Sequence, residues 1–197
     1  LDFDLKEFEY IWSYRNIVKS IQLDAECFVF ISKLWKLTDF NQKELPFLIV
    51  QIAPHKDLKP EIREAQLKVS QKLKNTALIV TTDLGLANEI HPPNKQPVVE
   101  RLALAARGMV YGEKINYSGP VLKNYKLKKN KLILYFSETA KGLKTDGDSD
   151  LKGLNLVYAT NEKQPAKVTI KKNSLEISLN PNTIPVEINY GWENVPD

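Results

Sequence analysis

The pattern of apolar and polar positions changes near residue 112. Before that point, continuous apolar runs alternate with amphipathic helical patterns, an order typical of an α/β fold with a parallel sheet. After it, short runs of alternating apolar and polar residues predominate, which favours antiparallel β-structure. The sequence therefore predicts an α/β domain over residues 1–112 and a small antiparallel β-sandwich-like domain over residues 117–197, with the boundary in Glu113–Pro120.

The first domain is predicted to contain helices and strands in alternation. The helices are expected over Ala25–Leu37, Pro60–Leu73 and Asn94–Tyr111, and the strands over Phe47–Ala53 and Ala77–Thr82. The second domain is predicted to contain six strands, at Val121–Leu127, Lys131–Ser137, Gly153–Ala159, Lys167–Lys171, Ser174–Leu179 and Val186–Tyr190. Lys129-Asn130 and Lys172-Asn173 fit hairpin turns between alternating runs.

Composition narrows the class of protein. The hydrophobic content of 43% is that of an ordinary globular chain, and no apolar run is long enough to span a bilayer. The net charge is only +4 and the arginines are few and scattered, so we expect no nucleic acid partner. The lysine-dense run Lys123–Lys131 alternates with leucines, which favours a solvated strand face with a charged turn. Cys27 is the one cysteine, so the chain cannot form an internal disulfide.

The richest chemistry lies between the strand that ends near Thr82 and the helix that begins near Asn94. This loop carries His91, one of the chain's two histidines, together with Asp83 and Glu89. Catalytic groups of α/β proteins often lie in such loops, at the carboxyl ends of strands. A histidine oriented by a carboxylate is the general base that a hydrolase needs, and either acid can serve as its partner.

Four short motifs resemble the sialate O-acetylesterase family of SGNH hydrolases, in that family's order. They are Asp83 with Asn88-Glu89-Ile90-His91-Pro92 and Asn94-Lys95-Gln96, the strand Pro46–Pro54, the helix start Ile62–Gln66, and Tyr117-Ser118-Gly119-Pro120. The resemblance runs from about residue 35 to the C-terminus. It implies the C-terminal half of an SGNH-type three-layer parallel sheet, followed by a β domain.

The resemblance also implies serine-hydrolase chemistry on O-acetylated sialic acid or another acetylated glycan. In that chemistry His91 takes the proton of a serine hydroxyl and later returns it to the leaving sugar oxygen. The family's G-Q-S-N nucleophile motif is absent from this chain. Many SGNH enzymes place an acid three residues before the histidine, whereas Asn88 stands here, so Asp83 and Glu89 both remain candidates.

Further candidates for substrate contact are Gln51, His55, Arg63 and Asn16. Gln51 and His55 belong to the predicted strand Phe47–Ala53 and the loop after it, on the same sheet edge as His91. Arg63 begins a helix, where it fits either a clamp for a substrate carboxylate or a surface position. Asn16 follows Trp12 in the stretch nearest to another family motif, and could stand in for the family's oxyanion-hole asparagine.

No metal or cofactor is expected. The acidic run Asp146–Asp150 alternates like a calcium loop, but Leu151 and Val157 stand where an EF-hand needs glycine and an acid. No pair of histidines or cysteines has zinc spacing. A tight acidic turn is the favoured interpretation.

Two classes of function follow. The first is a carbohydrate esterase fragment that removes O-acetyl groups from sialic acids, or an acetylxylan-type esterase. The second is a non-catalytic glycan-binding or assembly module. By resemblance the intact protein is expected to be periplasmic or secreted, although no signal peptide is visible from Leu1 onward. A missing N-terminal segment, or an oligomer, is expected to cover the incomplete sheet.

Overall fold

The computed structural model describes residue 41, residues 44–145 and residues 150–196. The predicted helix Ala25–Leu37, the candidate Asn16 and most of the acidic run Asp146–Asp150 lie outside the described residues. Two groups of elements follow one another along the described chain, first helices and parallel strands, then antiparallel strands. The division into a 1–112 domain and a 117–197 domain stays a prediction.

The first group consists of two parallel strands and two helices. They are β1 (Phe47–Val50), α1 (Pro60–Lys72), β2 (Thr76–Ile79) and α2 (Gln96–Ala105), which continues as a π-helical turn (Ala106–Val110). β1 and β2 pair in parallel from Phe47 opposite Thr76 to Val50 opposite Ile79. All four predicted elements of this segment are therefore present, with shorter bounds than expected.

The two helices cover opposite faces of this strand pair. Ile49 of β1 packs with Val69 and Leu73 at α1. Ala77 and Ile79 of β2 pack with Ala105 of α2 on the other face. Side chains of a strand alternate between faces, which is why continuous apolar runs form a strand buried on both sides.

This helix–sheet–helix layering agrees with an α/β class. An SGNH-type parallel sheet is not shown, because the parallel sheet of the described residues consists of β1 and β2. A short apolar run predicts a strand but does not indicate how many other strands pair with it, so the number of strands in the sheet could not be predicted from the sequence.

The second group is a β-sandwich. Its strands are β3 (Val121–Lys128), β4 (Lys131–Ser137), β5 (Leu154–Val157), β6 (Lys163–Pro165), β7 (Val168–Lys171), β8 (Ser174–Ser178) and β9 (Glu187–Tyr190). One sheet has the order β3-β4-β8-β7 and the other the order β6-β5-β9. The pairs in both sheets are antiparallel.

The two sheets enclose one apolar core. Leu132, Leu134 and Ile177 of the first sheet pack together with Leu154 and Leu156 of the second. The six predicted strands and both hairpin turns are confirmed, since Lys128 pairs with Lys131 and Lys171 with Ser174. The sequence missed β6, a strand of three exposed residues. The sequence of β6 does not alternate apolar and polar residues, because none of its side chains packs into the core.

Candidate active site

Two loops at the carboxyl ends of β1 and β2 form the candidate site. The loop after β1 is residues 51–59, here the β1 loop, and the loop after β2 is residues 80–95, here the β2 loop. Because the strands are parallel, both loops emerge at the same sheet edge. The main-chain N–H of Lys56 donates to the carbonyl of Ala87 at 3.0 Å, so one loop supports the other.

A close contact between Gly85 and Pro54 strengthens this link. Pro54 is fully buried. A Cβ on Gly85 would lie 2.5 Å from Pro54 Cδ and 2.6 Å from the Pro54 main-chain oxygen, closer than real Cβ atoms come. Glycine at position 85 is therefore what allows the β2 loop to pack onto the β1 loop.

Gln51 fixes the bases of both loops. Its Oε1 accepts from the Thr82 hydroxyl at 3.0 Å and from the Thr81 N–H at 3.4 Å. The Thr81 hydroxyl donates to the Gln51 carbonyl at 2.8 Å. Gln51 and Thr81 are buried, so these bonds replace water. The predicted contact of Gln51 with substrate remains untested, whereas its tie between the two strand ends is shown.

His91 lies exposed on the β2 loop. Its main-chain N–H donates to Glu89 Oε1 at 2.9 Å, which fixes the backbone at that point. Within the described part of the chain, the imidazole ring itself makes no hydrogen bond, neither to a carboxylate nor to a serine hydroxyl. The ring is accordingly open to a substrate, and the expected pairing with Asp83 or Glu89 is not formed in this structure.

Asp83 is bound by an arginine that sequence reasoning missed. Arg101 of α2 donates to both carboxylate oxygens, at 2.7 and 2.6 Å, and also to the carbonyl of Val80 at 2.7 Å. The hydrogen bond from Arg101 lowers the pKa of Asp83, against the opposing effect of burial. The carboxylate is thus held ionised and faces α2. The sequence gives one indication of this Asp83–Arg101 pair, which is that an arginine stands on the helix that directly follows the loop.

His55 is mostly buried on the β1 loop, with 13% of its side chain exposed. Its Nδ1 accepts from the Asp57 N–H at 3.2 Å. The Asp57 carboxylate lies 3.7 Å from the same nitrogen. The structure brings His55 to the same edge as His91, and its predicted role in substrate contact remains a prediction.

Arg63 is buried, with 6% exposed, so the surface position considered for it is wrong. Its guanidinium donates to the main-chain carbonyls of Gly191, at 3.1 Å, of Asn194, at 3.3 Å, and of Glu193. Burial lowers the pKa of Arg63, with a smaller opposing effect from Glu61. These donors bind the chain's own C-terminal segment, and a contact of Arg63 with a substrate carboxylate stays a prediction.

The C-terminal segment 191–194 also contacts the β1 loop. The Asn194 side-chain amide donates to the Lys56 carbonyl at 2.5 Å. On α1, Gln66 Oε1 accepts from the Ile52 N–H at 2.9 Å. The β1 loop is therefore supported from α1, from the β2 loop and from the C-terminal segment. Gln66 was noted from the sequence only as the end of the motif Ile62–Gln66, and neither Gln66 nor Asn194 was assigned these contacts, because their partners lie 14 and 138 residues away.

The described residues also bear on metal sites and on membrane-spanning helices. They contain no group of three or more His, Cys, Asp or Glu side chains that could hold a metal ion. None of their helices is long and apolar enough to cross a membrane.

No protein-family model and no curated protein matches the chain. A solved structure does match it, the crystal structure of a novel carbohydrate acetylesterase from Xanthomonas citri, with a TM-score of 0.80 and 34% sequence identity. The match covers 88% of this chain and 41% of that chain, so this chain spans less than half the length of that enzyme. The likeness supports a relationship to carbohydrate esterases.

Proposed function

We propose that this chain is the histidine-bearing part of a carbohydrate O-acetylesterase. The observation that carries the proposal is the likeness to a carbohydrate acetylesterase over 88% of the chain. The exposed His91, on a loop braced by a buried glutamine and a glycine–proline contact, is consistent with it. Because the match spans 41% of the relative, a segment beyond the described residues is proposed to supply the nucleophile.

In the proposed reaction a hydroxyl oxygen attacks the carbonyl carbon of an acetyl ester while His91 accepts the hydroxyl proton. The tetrahedral intermediate collapses, and the imidazolium donates that proton to the departing sugar oxygen. Water, deprotonated by the same imidazole, then attacks the acyl carbon, and the imidazolium returns the proton to the enzyme's hydroxyl oxygen as acetate leaves. Glu89, which fixes the backbone at His91, is the carboxylate we assign to the ring, because the oxygens of Asp83 are held by Arg101.

O-acetylated sialic acid is the substrate we propose, following the motif resemblance. The test compares acetate release from O-acetylated sialic acid and from acetylated xylan, using the longer protein that includes the nucleophile. Faster release from the sialic acid supports the assignment. Release from xylan alone would replace it with an acetylxylan-type activity.

The role of His91 is tested in that same protein. His91→Ala is expected to abolish acetate release, and His55→Ala to leave part of it, because only His91 is assigned the proton transfer. Circular dichroism serves to verify that both variants fold. Unchanged turnover in His91→Ala would remove the histidine from the mechanism.

The 197-residue chain by itself is expected to hydrolyse a chromogenic acetyl ester negligibly, since a base without its nucleophile loses most of its effect. Labelling with a serine-directed fluorophosphonate measures this independently. Stoichiometric labelling of any serine would mean that the chain carries a complete site.

A further inference from the structure

Five lysines lie on the outer face of the four-stranded sheet. Four of them belong to strands β3, β4 and β7, and the fifth, Lys167, directly precedes β7. Residues that pair directly across a sheet share a face, and Leu132, Leu134 and Ile177 point into the core. The alternate positions therefore point outward. Five of them are lysines and one is an acid, and we call them the lysine face: Lys126, Lys128, Lys131, Lys167, Lys171 and Glu176.

The charge of this face is largely uncompensated. Lys131 pairs with Glu176 at 3.7 Å. The other four lysines have no ion-pair partner among residues 44–145 and 150–196. Five lysines against one glutamate give the face a formal charge of +4, equal to that of the whole chain. The other charged residues of the chain, 23 basic and 23 acidic, are therefore neutral in sum.

Polar and aromatic groups lie between the lysines. Asn124 pairs with Tyr135, Tyr135 with Ser174, and Glu176 with Thr169, so an amide, a phenol and two hydroxyls share the face. The Tyr135 residue is 37% exposed. Neighbouring strands lie about 4.8 Å apart, so these groups form a regular grid of donors, acceptors and cations.

We propose that the lysine face binds an anionic polysaccharide, one with carboxylate or sulfate groups along a hydroxyl-rich chain. The lysine ammonium groups would pair with the anions, and the hydroxyl and amide groups would hydrogen-bond the sugar hydroxyls between them. An exposed tyrosine offers an apolar ring to a sugar face. All five lysines are exposed along paired strands, which suits a polymer that lies along the sheet better than a small ligand that requires a pocket.

A sugar polymer fits this face better than a nucleic acid. Nucleic-acid surfaces commonly combine arginine with aromatic rings on which bases stack. The outward positions of these four strands include no arginine, and the three arginines of the described residues lie elsewhere, Arg63 against main-chain carbonyls and Arg101 and Arg107 in pairs with Asp83 and Glu113. The face presents one aromatic ring among the outward positions of the four strands.

This inference goes beyond the proposed esterase activity and does not rest on it. The lysine face belongs to β3, β4, β7 and β8, whereas the candidate active site belongs to the loops after β1 and β2. Binding can consequently be measured on the 197-residue chain even if that chain hydrolyses nothing.

The test measures binding of the chain to polygalacturonate at low salt, with uncharged dextran and an oligothymidylate as comparison polymers. The test variant carries Lys126→Ser, Lys128→Ser and Lys167→Ser, which spares the paired Lys131. The matched control carries Lys59→Ser, Lys74→Ser and Lys114→Ser, three exposed lysines outside the sandwich. Both variants lose three positive charges, so a difference between their affinities for polygalacturonate depends on where the removed lysines lie. Thermal unfolding verifies that both fold.

We expect polygalacturonate to bind the unmodified chain and the control variant alike, and the test variant about tenfold more weakly. Added salt should weaken binding, because the contacts are exposed ion pairs. Equal affinity of the two variants, or absence of binding to polygalacturonate, would overturn the proposal. Binding of the oligothymidylate as tight as that of polygalacturonate would overturn the assignment to a polysaccharide.

Discussion

Both terminal nitrogens of Arg101 donate to the carboxylate of Asp83, at 2.7 and 2.6 Å. The pair joins the β2 loop to α2, and Arg101 adds a bond to the Val80 carbonyl at the loop's start. A carboxylate that receives two arginine hydrogen bonds has a fixed orientation. Asp83 therefore anchors the β2 loop to α2, and a role for Asp83 or Glu89 in orienting His91 stays a prediction.

Asp83→Asn is expected to lower the free energy of unfolding by about 0.5–1 kcal/mol at neutral pH, a modest value because the pair is more than a third exposed. The folded-state pKa of Asp83 is lowered, so the stabilisation is complete above the unfolded-state pKa and is lost as the pH falls through the folded value. Urea unfolding should give a constant difference between the two proteins down to about pH 4 and a shrinking one below it.

Glu113→Gln is the matched control for Asp83→Asn. Arg107 donates to both oxygens of Glu113 through Nε and a terminal nitrogen, and this bond likewise lowers the pKa of Glu113, but Arg107 is more exposed than Arg101 and has no counterpart of the bond from Arg101 to the Val80 carbonyl among the described residues. We expect a smaller loss from Glu113→Gln than from Asp83→Asn. A difference for Asp83→Asn that does not change with pH would show that the loss is unrelated to the carboxylate charge.

Gly85→Ala should destabilise the packed loops. The new methyl group would overlap the buried Pro54, and relieving the overlap requires one loop to move. Overpacking of this kind typically reduces the free energy of unfolding by about 1–3 kcal/mol. Gly119→Ala is the control, because a Cβ there has nothing within 4 Å. In thermal unfolding, Gly85→Ala should have a lower melting temperature than Gly119→Ala. Equal melting temperatures would contradict the tight contact at Gly85.

The elements of the sandwich could be predicted because their residues carry the signal locally. Lys131–Ser137 is rich in apolar and aromatic residues, and a two-residue turn fixes its register against β3. The lysine face could not be predicted in the same way. Its members come from strands that are adjacent in space but distant in sequence, so the sequence displays the run Lys123–Lys131 without Lys167 and Lys171 beside it.

The candidate site likewise has features that the local sequence predicts and features that depend on residues distant in the sequence. The sequence predicted a loop between a strand and a helix that carries His91, and the structure has that loop with His91 exposed on it, while a catalytic role for His91 stays a prediction. The environments of Asp83 and Arg63 were missed, because each depends on a partner far along the chain, 18 residues away for Asp83 and 128 to 131 for Arg63. Charge and helix position describe what a side chain can bind, whereas its partner is decided by the tertiary fold.

Gln51→Leu should loosen the bases of both loops. The substitution keeps roughly the same volume but removes the oxygen that accepts from the Thr82 hydroxyl and the buried Thr81 N–H. An unsatisfied buried donor typically costs about 1–3 kcal/mol of unfolding free energy. Amide hydrogen exchange at Thr81 should accelerate with it. The exposed Gln164→Leu is the control, for which we expect an unchanged melting temperature, and protection of Thr81 as strong as before would argue against this role for Gln51.

Arg63→Met tests whether one guanidinium holds the C-terminal segment onto α1. Methionine keeps much of the apolar stem but leaves the carbonyls of Gly191, Glu193 and Asn194 without their donor. Hydrogen bonds to charged groups are the stronger ones, and carbonyls released into water recover part of the loss, so we expect a decrease of about 2–3 kcal/mol in unfolding free energy. Arg63→Lys should restore little of it, because a single ammonium cannot reproduce the planar fork that reaches three acceptors.

The measurement that separates this clamp from a general packing defect is local hydrogen exchange. If Arg63 acts through the C-terminal segment, Arg63→Met should accelerate exchange in residues 191–194 and at Lys56, whose carbonyl binds the Asn194 amide. The apolar core around Ile177 should keep its protection, because the sandwich is closed by its own side chains. Arg107→Met, at an exposed pair, should change neither region. Faster exchange across the whole chain would contradict a local clamp. Unchanged exchange in segment 191–194 would also contradict it, because Arg63 would then stabilise the fold through other contacts.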